Sequence, residues 1–227
     1  DRPKQFLKLI GDRSSFQETI LRVMDLPGAR EIVVVTGRHM AELVERQARE
    51  IGADLVVIIE PEARDSAPAI AAAAAYVRAK TPEGVVLMLA ADHHIAEADV
   101  FREAALTAVS AARHGLIVTF GVQPTGPATG FGYIKPGEPL PSGVKSIDAF
   151  VEKPDLETAK RYLSEGYYWN SGNFAFSAQT LLDELDAYEP AISNGAIQAV
   201  DKGARDGIAL HLDAEAFSTT TKKSLDY

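Results

Sequence analysis

The sequence predicts an α/β fold, a Rossmann-like three-layer sandwich with a mainly parallel mixed sheet, on three observations. β-rich apolar runs at residues 32–36, 55–59 and 85–89 alternate with amphipathic or alanine-rich stretches, and strand, helix, strand at this rhythm gives right-handed βαβ crossovers. The run Val85-Val86-Leu87-Met88-Leu89 carries no charge, as expected of a strand covered by helices on both faces. Polar clusters then follow the runs abruptly, where the strands of an open sheet stop and ligands bind.

In chain order, Ser14-Ser15-Phe16-Gln17 is a cap signature for a helix carrying Phe16, Ile20, Leu21 and Val23, with Glu18 near its positive end. Residues 32–36 form a β-branched strand ended by Gly37, and 40–51 a helix with Met40, Leu43, Val44 and Ile51 on one side. Strand 55–59 follows. Pro68 and the alanine-rich 69–79 then make a helix that can approach the sheet closely, because Pro suits a helix start and Ala is the best helix former. Strand 85–89, helix 98–113 and strand 116–122 complete the regular part. From Gln123 the chain turns rich in Gly, Pro and Thr, which reads as a site loop or hairpin with a short extended piece at 131–134. Strand 147–152, helix 156–164, an aromatic turn running into a strand over 167–176, and helices 180–188 and 191–200 follow. The remainder reads as mixed.

The 227 residues suit a single domain, 1–227, with one core. A net charge of -9 argues against a nucleic acid partner, although a local Lys/Arg pair can still meet an anionic metabolite. The absence of cysteine removes disulfides, thiolate nucleophiles and Cys-based zinc sites. No apolar run approaches a membrane span and the start is no signal peptide, so the expectation is a cytoplasmic protein without a membrane partner.

Four polar clusters invite chemistry, each with a plainer alternative. Between Glu60 and Pro68, Ser66 either caps the alanine helix or belongs to a set of N–H groups that meet an anion or a base edge. Asp92 either caps the helix beginning near Ala96 or holds a divalent cation against phosphate oxygens. The adjacent His93 and His94 point opposite ways in an extended chain, so at most one is a ligand. Lys153 is either a solvated charge or a mobile point charge for a substrate phosphate. The stretch Trp169-Asn170-Ser171-Gly172-Asn173-Phe174 is a packed corner or the wall of a sugar pocket. Arg2, Lys4 and Lys8 add positive charge at the start.

Taken in order, PKQFLKL, EPEARDSAPAI, LAADHHI, TGFGYI, FVEKP, WNSGNF and SLDY resemble the bacterial mannose-1-phosphate guanylyltransferases, the GDP-mannose pyrophosphorylases, over nearly the whole chain. The resemblance implies a nucleotide-diphospho-sugar transferase fold that makes GDP-mannose and pyrophosphate from GTP and mannose 1-phosphate with Mg2+, in a protein usually found as a homodimer. By position, Lys4 resembles the lysine that meets the phosphates, and Asp92 and Asp226 the two metal-binding aspartates. Glu60, Arg64, Ser66 and Ala67 resemble the base-side loop, and Gly132, Glu152, Lys153 and Asn170 the holders of the sugar 1-phosphate. Asp65-Ser66 stands where the family has Asn-Thr, and Ala90 where it has Pro. The family's Gly-x-Gly-Thr-Arg loop, its Ala-Val-Met-Glu continuation and its β-helix region are not in these residues, so the domain is expected to be incomplete at both ends. The alternatives are a non-catalytic or regulatory nucleotide-sugar binding domain, or a pyrophosphorylase for another sugar 1-phosphate. A sugar-transferring enzyme of similar design fits less well, since two lysines suit a substrate with a free phosphate.

Overall fold

The computed structural model describes residues 3–226; Arg2 and Tyr227, both named above, lie outside the described residues. The first helix, α1 (Ser15–Val23), starts as its cap signature requires. Ser14 Oγ accepts from Gln17 N at 3.2 Å, while Gln17 Oε1 accepts from Ser14 N at 3.1 Å. The predicted alternation follows as β1 (Val33–Gly37), α2 (Ala41–Glu50), β2 (Val56–Glu60), α3 (Ser66–Lys80), β3 (Val85–Met88), α4 (Ala98–Ala112) and β4 (Val118–Val122). Beyond it lie β5 (Gly132–Pro139), β6 (Lys145–Glu152), α5 (Leu156–Ser164), β7 (Tyr168–Ser177), α6 (Ala178–Tyr188), α7 (Pro190–Asp201), β8 (Ala204–Asp206), β9 (Ala209–His211) and α8 (Ala214–Ser218).

The period of two along the strands sorts side chains into two helical layers. Ile58, with Val33, Val35, Val86 and Met88, packs under α3, α6 and α7. Val57 and Ile59, with Val34, face Phe16 and Ile20 of α1 and Val44 and Ala48 of α2. Val85 and Leu87 lie against Ala108 and Ala112 of α4. The arrangement is therefore the expected α/β sandwich with mixed pairing.

The pairing is distributed over two hydrogen-bonded sheets, not one. Parallel partners are gathered in β1–β2–β9, with β8 antiparallel at the edge. The other sheet is antiparallel, because the ten-residue β7 runs back against β3, β4 and β5. Helix α3 contacts β1, β2 and β3, and so spans both sheets. Its run of alanines, buried to 3% exposure or less from Ala71 to Ala75 apart from the partly buried Ala73, permits that close seat.

Two differences from the sequence expectation bear on the site. The piece expected at 131–134 is the start of a longer strand, β5, paired with β6. Its register slips around Pro136, which a bulge accommodates despite the missing N–H. The turn expected before the last aromatic strand lies within β7 itself. Thr119 pairs with Phe174 and Gly121 with Asn170, so Ser171, Gly172 and Asn173 bulge opposite Phe120 alone, with Gly172 at φ +71°.

Candidate active site

Antiparallel pairing brings the ends of β3, β4 and β6 to the same edge as the starts of β5 and β7. Asp92 leaves that edge after β3. It caps nothing: α4 begins at Ala98 with Glu97 as its cap residue, so the helix-cap alternative falls. Instead Asp92 Oδ2 receives Lys4 Nζ at 2.8 Å, with Lys4 73% exposed and Asp92 32%. Burial pulls the Asp92 carboxyl upward, but the hydrogen bond and charge of Lys4 outweigh it and hold the group below its ordinary value. Donating to Asp92 and lying beside its charge in turn raise the Lys4 ammonium.

Asp226 is held by neutral donors. Asn170 Nδ2 donates to its Oδ1 at 3.0 Å and Ser224 Oγ to its Oδ2 at 3.0 Å. The Asn170 carboxamide is oriented from behind by Thr119 Oγ1, which donates to Asn170 Oδ1 at 2.7 Å and also reaches the Asn173 carbonyl at 3.1 Å. Asn173, 3% exposed, accepts from Ala90 N at 2.9 Å and approaches His93 Nδ1 at 3.4 Å. A line of polar contacts thus runs from Asp226 through Asn170, Thr119 and Asn173 to the loop that carries Asp92. Thr119 was not legible as a site residue, being an ordinary β-former inside a strand. Asn173 stood in a noted cluster without a role.

Gly132 pairs with Glu152 across the β5–β6 ladder. A Cβ at Gly132 would lie 2.4 Å from Glu152 Oε2 and 3.4 Å from Asn170 Cβ, so the absent side chain lets these groups converge. Lys153 Nζ lies 3.1 Å from Glu152 Oε1, on a backbone at φ +47°. Left-handed backbone is uncommon for a lysine and is held here in part by its N–H, which donates to the Phe131 carbonyl at 3.2 Å.

The base-side loop is tied to the last residues of the chain. The cap of α3 is Asp65, whose Oδ1 accepts from Ser66 N at 3.2 Å, and not Ser66. Ser66 Oγ instead accepts from Leu225 N at 2.9 Å and meets Ser224 Oγ at 3.1 Å. Ala67 N donates to the Lys223 carbonyl at 3.0 Å, so that N–H is engaged within the protein. Arg64 is clamped between Glu62, at 2.9 Å, and the Thr220 carbonyl, at 2.6 Å. Glu60, at the end of β2, is set apart from these contacts, and burial pushes its carboxyl up to about 7. Asp65 adopts φ +68° and ψ -173°, a region almost confined to glycine.

No group of three or more His, Asp or Glu side chains is placed to hold a metal among the described residues. The donor set nevertheless fits a hard cation completed by substrate. Mg2+ takes one or two carboxylates and fills its remaining positions with water and phosphate oxygens. Asp92 is held in the ionised form, and each Asp226 oxygen accepts one protein hydrogen bond with lone-pair capacity left over.

Fold and site together define an α/β domain that gathers lysines, carboxylates and carboxamides at one sheet edge, the chemistry of a phosphorylated, hydroxyl-rich ligand. The sequence profile of the nucleotidyl transferase family matches residues 1–214, and the chain belongs to that family. It is 41% identical over 227 residues to the xanthan biosynthesis protein XanB of Xanthomonas campestris pv. campestris, covering 99% of this chain and 48% of that protein. It is 40% identical over 235 residues to the mannose-1-phosphate guanylyltransferase of Escherichia coli, again covering 99% and 48%. The chain thus spans about half the length of these relatives. Among solved structures, one described as mannose-6-phosphate isomerase from Helicobacter pylori superposes with a TM-score of 0.86 at 28% identity, covering 99% of this chain and 86% of that one. One described as mannose-1-phosphate geranyltransferase from Thermus thermophilus gives 0.85 at 29%, covering 100% and 63%. Nucleotidyl transferases of this family generally use a divalent metal. No helix among the described residues is long and apolar enough to cross a membrane.

Proposed function

We propose that this domain transfers GMP from GTP to α-D-mannose 1-phosphate, giving GDP-mannose and pyrophosphate, with Mg2+ as the divalent metal. The observation that carries the reading is the convergence of the Lys4–Asp92 pair and the Asn170–Asp226 pair on one edge, joined through Thr119 and Asn173. The similarity to the Escherichia coli guanylyltransferase supports the choice of substrates.

In this reading Asp92 and Asp226 hold the cation, which when bound withdraws charge from the α-phosphate. Lys4 neutralises the leaving pyrophosphate. Lys153 pairs with the sugar 1-phosphate, while Glu152 and Asn170 flank Gly132 and meet the sugar hydroxyls. The attacking phosphate oxygen is already ionised, so in-line attack needs no general base and neither His93 nor His94 moves a proton. Glu60, as carboxylate, accepts from the N–H groups on the guanine edge, a donor pattern adenine lacks. Arg64, Ser66 and Ala67 shape that side of the pocket.

The test is pyrophosphate release by the complete gene product, crossing several nucleoside triphosphates with several sugar 1-phosphates. GTP with mannose 1-phosphate is expected to dominate. Guanine should exceed adenine by roughly tenfold or more, since an unmatched buried polar group costs about 1 to 3 kcal/mol. Equal efficiency with ATP and GTP would overturn the guanine assignment, and GDP-mannose binding without pyrophosphate release would make this a binding domain.

A further inference from the structure

We propose that Thr119 and Asn173 are positioning residues that act as one strut, fixing the Asp226 side of the site relative to the loop that carries Asp92. The inference rests on the reading of Asp92 and Asp226 as the metal-holding carboxylates and adds to it two residues that touch neither.

The geometry points to this pair for two reasons. The Thr119 hydroxyl has one proton, which lies between Asn170 Oδ1 at 2.7 Å and the Asn173 carbonyl at 3.1 Å. A donor on Oδ1 settles which way the Asn170 amide is turned, and Gly172 N, also donating to that oxygen at 3.2 Å, reinforces it. Only in that orientation does Asn170 Nδ2 face Asp226. With the amide reversed, two oxygens would confront one another.

The second reason is the Asn173 side chain. It is almost wholly buried, and its Oδ1 takes the Ala90 N–H just before Asp92, while Nδ2 donates to Ser171 Oγ at 3.2 Å. A buried carboxamide with both ends engaged is a rigid tie. The β7 bulge opposite Phe120 is what allows Asn170 and Asn173 to reach Thr119 from one strand. A continuous ladder without the bulge would leave these contacts unmade. The strut therefore joins β4, β7 and the β3 loop, and ties the Asn170 amide that meets Asp226 to the loop that carries Asp92.

The experiment compares Thr119→Val, Thr119→Ser and Asn173→Leu with the parent in the complete gene product. It measures Mn2+ affinity by electron paramagnetic resonance without substrate, then kcat and KM. Thr119→Val keeps the shape and removes the hydroxyl. It is expected to weaken Mn2+ binding about fivefold or more and lower kcat about tenfold, with the KM for GTP within about twofold. Thr119→Ser should recover most of both losses. Asn173→Leu should weaken Mn2+ binding and speed amide exchange at Ala90; if it fails to fold, the threonine pair still decides. Parent-like Mn2+ affinity and kcat in Thr119→Val would overturn the strut, as would Thr119→Ser being as impaired as Thr119→Val. If Asp92→Asn and Asp226→Asn leave the parent's Mn2+ affinity unchanged, the carboxylate reading fails and the strut with it. If those two variants lose Mn2+ binding and Thr119→Val does not, the strut alone fails.

Discussion

Glu60 is the residue whose charge state is most open to control. Burial pushes its carboxyl up to about 7, so the folded protein keeps this proton over a range where the unfolded chain, near 4.5, has lost it. Its contribution to stability is therefore fully present below about 4.5 and lost as pH rises through about 7. Guanine recognition has the opposite sign, since only the carboxylate accepts the base's N–H groups. Apparent affinity for GTP should rise severalfold between about pH 6 and pH 8 in the parent, and Glu60→Gln should remove the part of that rise due to this carboxyl. Dissociation constants across that range check it, and a variant that tracks the parent would show that Glu60 does not read the base. At this scale the sequence was partly transparent. Asp92 and Lys153 announce themselves as polar residues after apolar runs. Thr119 does not, because a threonine in a strand is ordinary until a bulge on the neighbouring strand turns a carboxamide toward it. The cap of α3 falls to Asp65 and not to the expected Ser66 for a similar reason: both can cap a helix, and what separates them is the passage of Leu225 N beside Ser66 Oγ, a contact between residues far apart in the chain.

Among the elements, α3 and the last residues of the chain form a coupled unit. Ser66 Oγ anchors Leu225 N and Ser224 Oγ, and Ser224 in turn donates to Asp226. Ser66→Ala leaves the Asp65 cap in place while freeing that segment. It should cost about 1 kcal/mol in denaturation, the usual net worth of such a hydrogen bond. It should also lower kcat by about tenfold or more, further than so small a stability loss explains, because Asp226 loses its fixed position. Normal turnover with the stability loss alone would separate the helix start from the site. Helices α1 to α7 and strands β1 to β4 were readable because their apolar patterns are local, whereas the short β8, β9 and α8 fall in the stretch that reads only as mixed. Strand β5 was read short, since Pro136, Gly137 and Pro139 look like loop residues. They sit in a strand because β6 supplies its partner through a slipped register, and because Gly137 has no side chain to strike Asp148 and Ser146.

Across the whole molecule, an α/β class and its layers followed from alternation, whereas the division into two sheets did not. Strand order is a tertiary outcome, decided here by β7 pairing with three strands and by α3 packing across both sheets. That arrangement is what brings Asp92 and Asp226, 134 positions apart in numbering, into one connected site. The central claim is that these two carboxylates together hold Mg2+ for nucleotidyl transfer. It is tested most directly by turnover against Mg2+ concentration for Asp92→Asn and Asp226→Asn in the complete gene product, with circular dichroism confirming the fold. Each variant is expected to lose more than about a hundredfold in kcat, about 2.7 kcal/mol of transition-state stabilisation, and to need more Mg2+ for half its maximal rate. Parent-like rates with unchanged Mg2+ dependence in both folded variants would contradict the account.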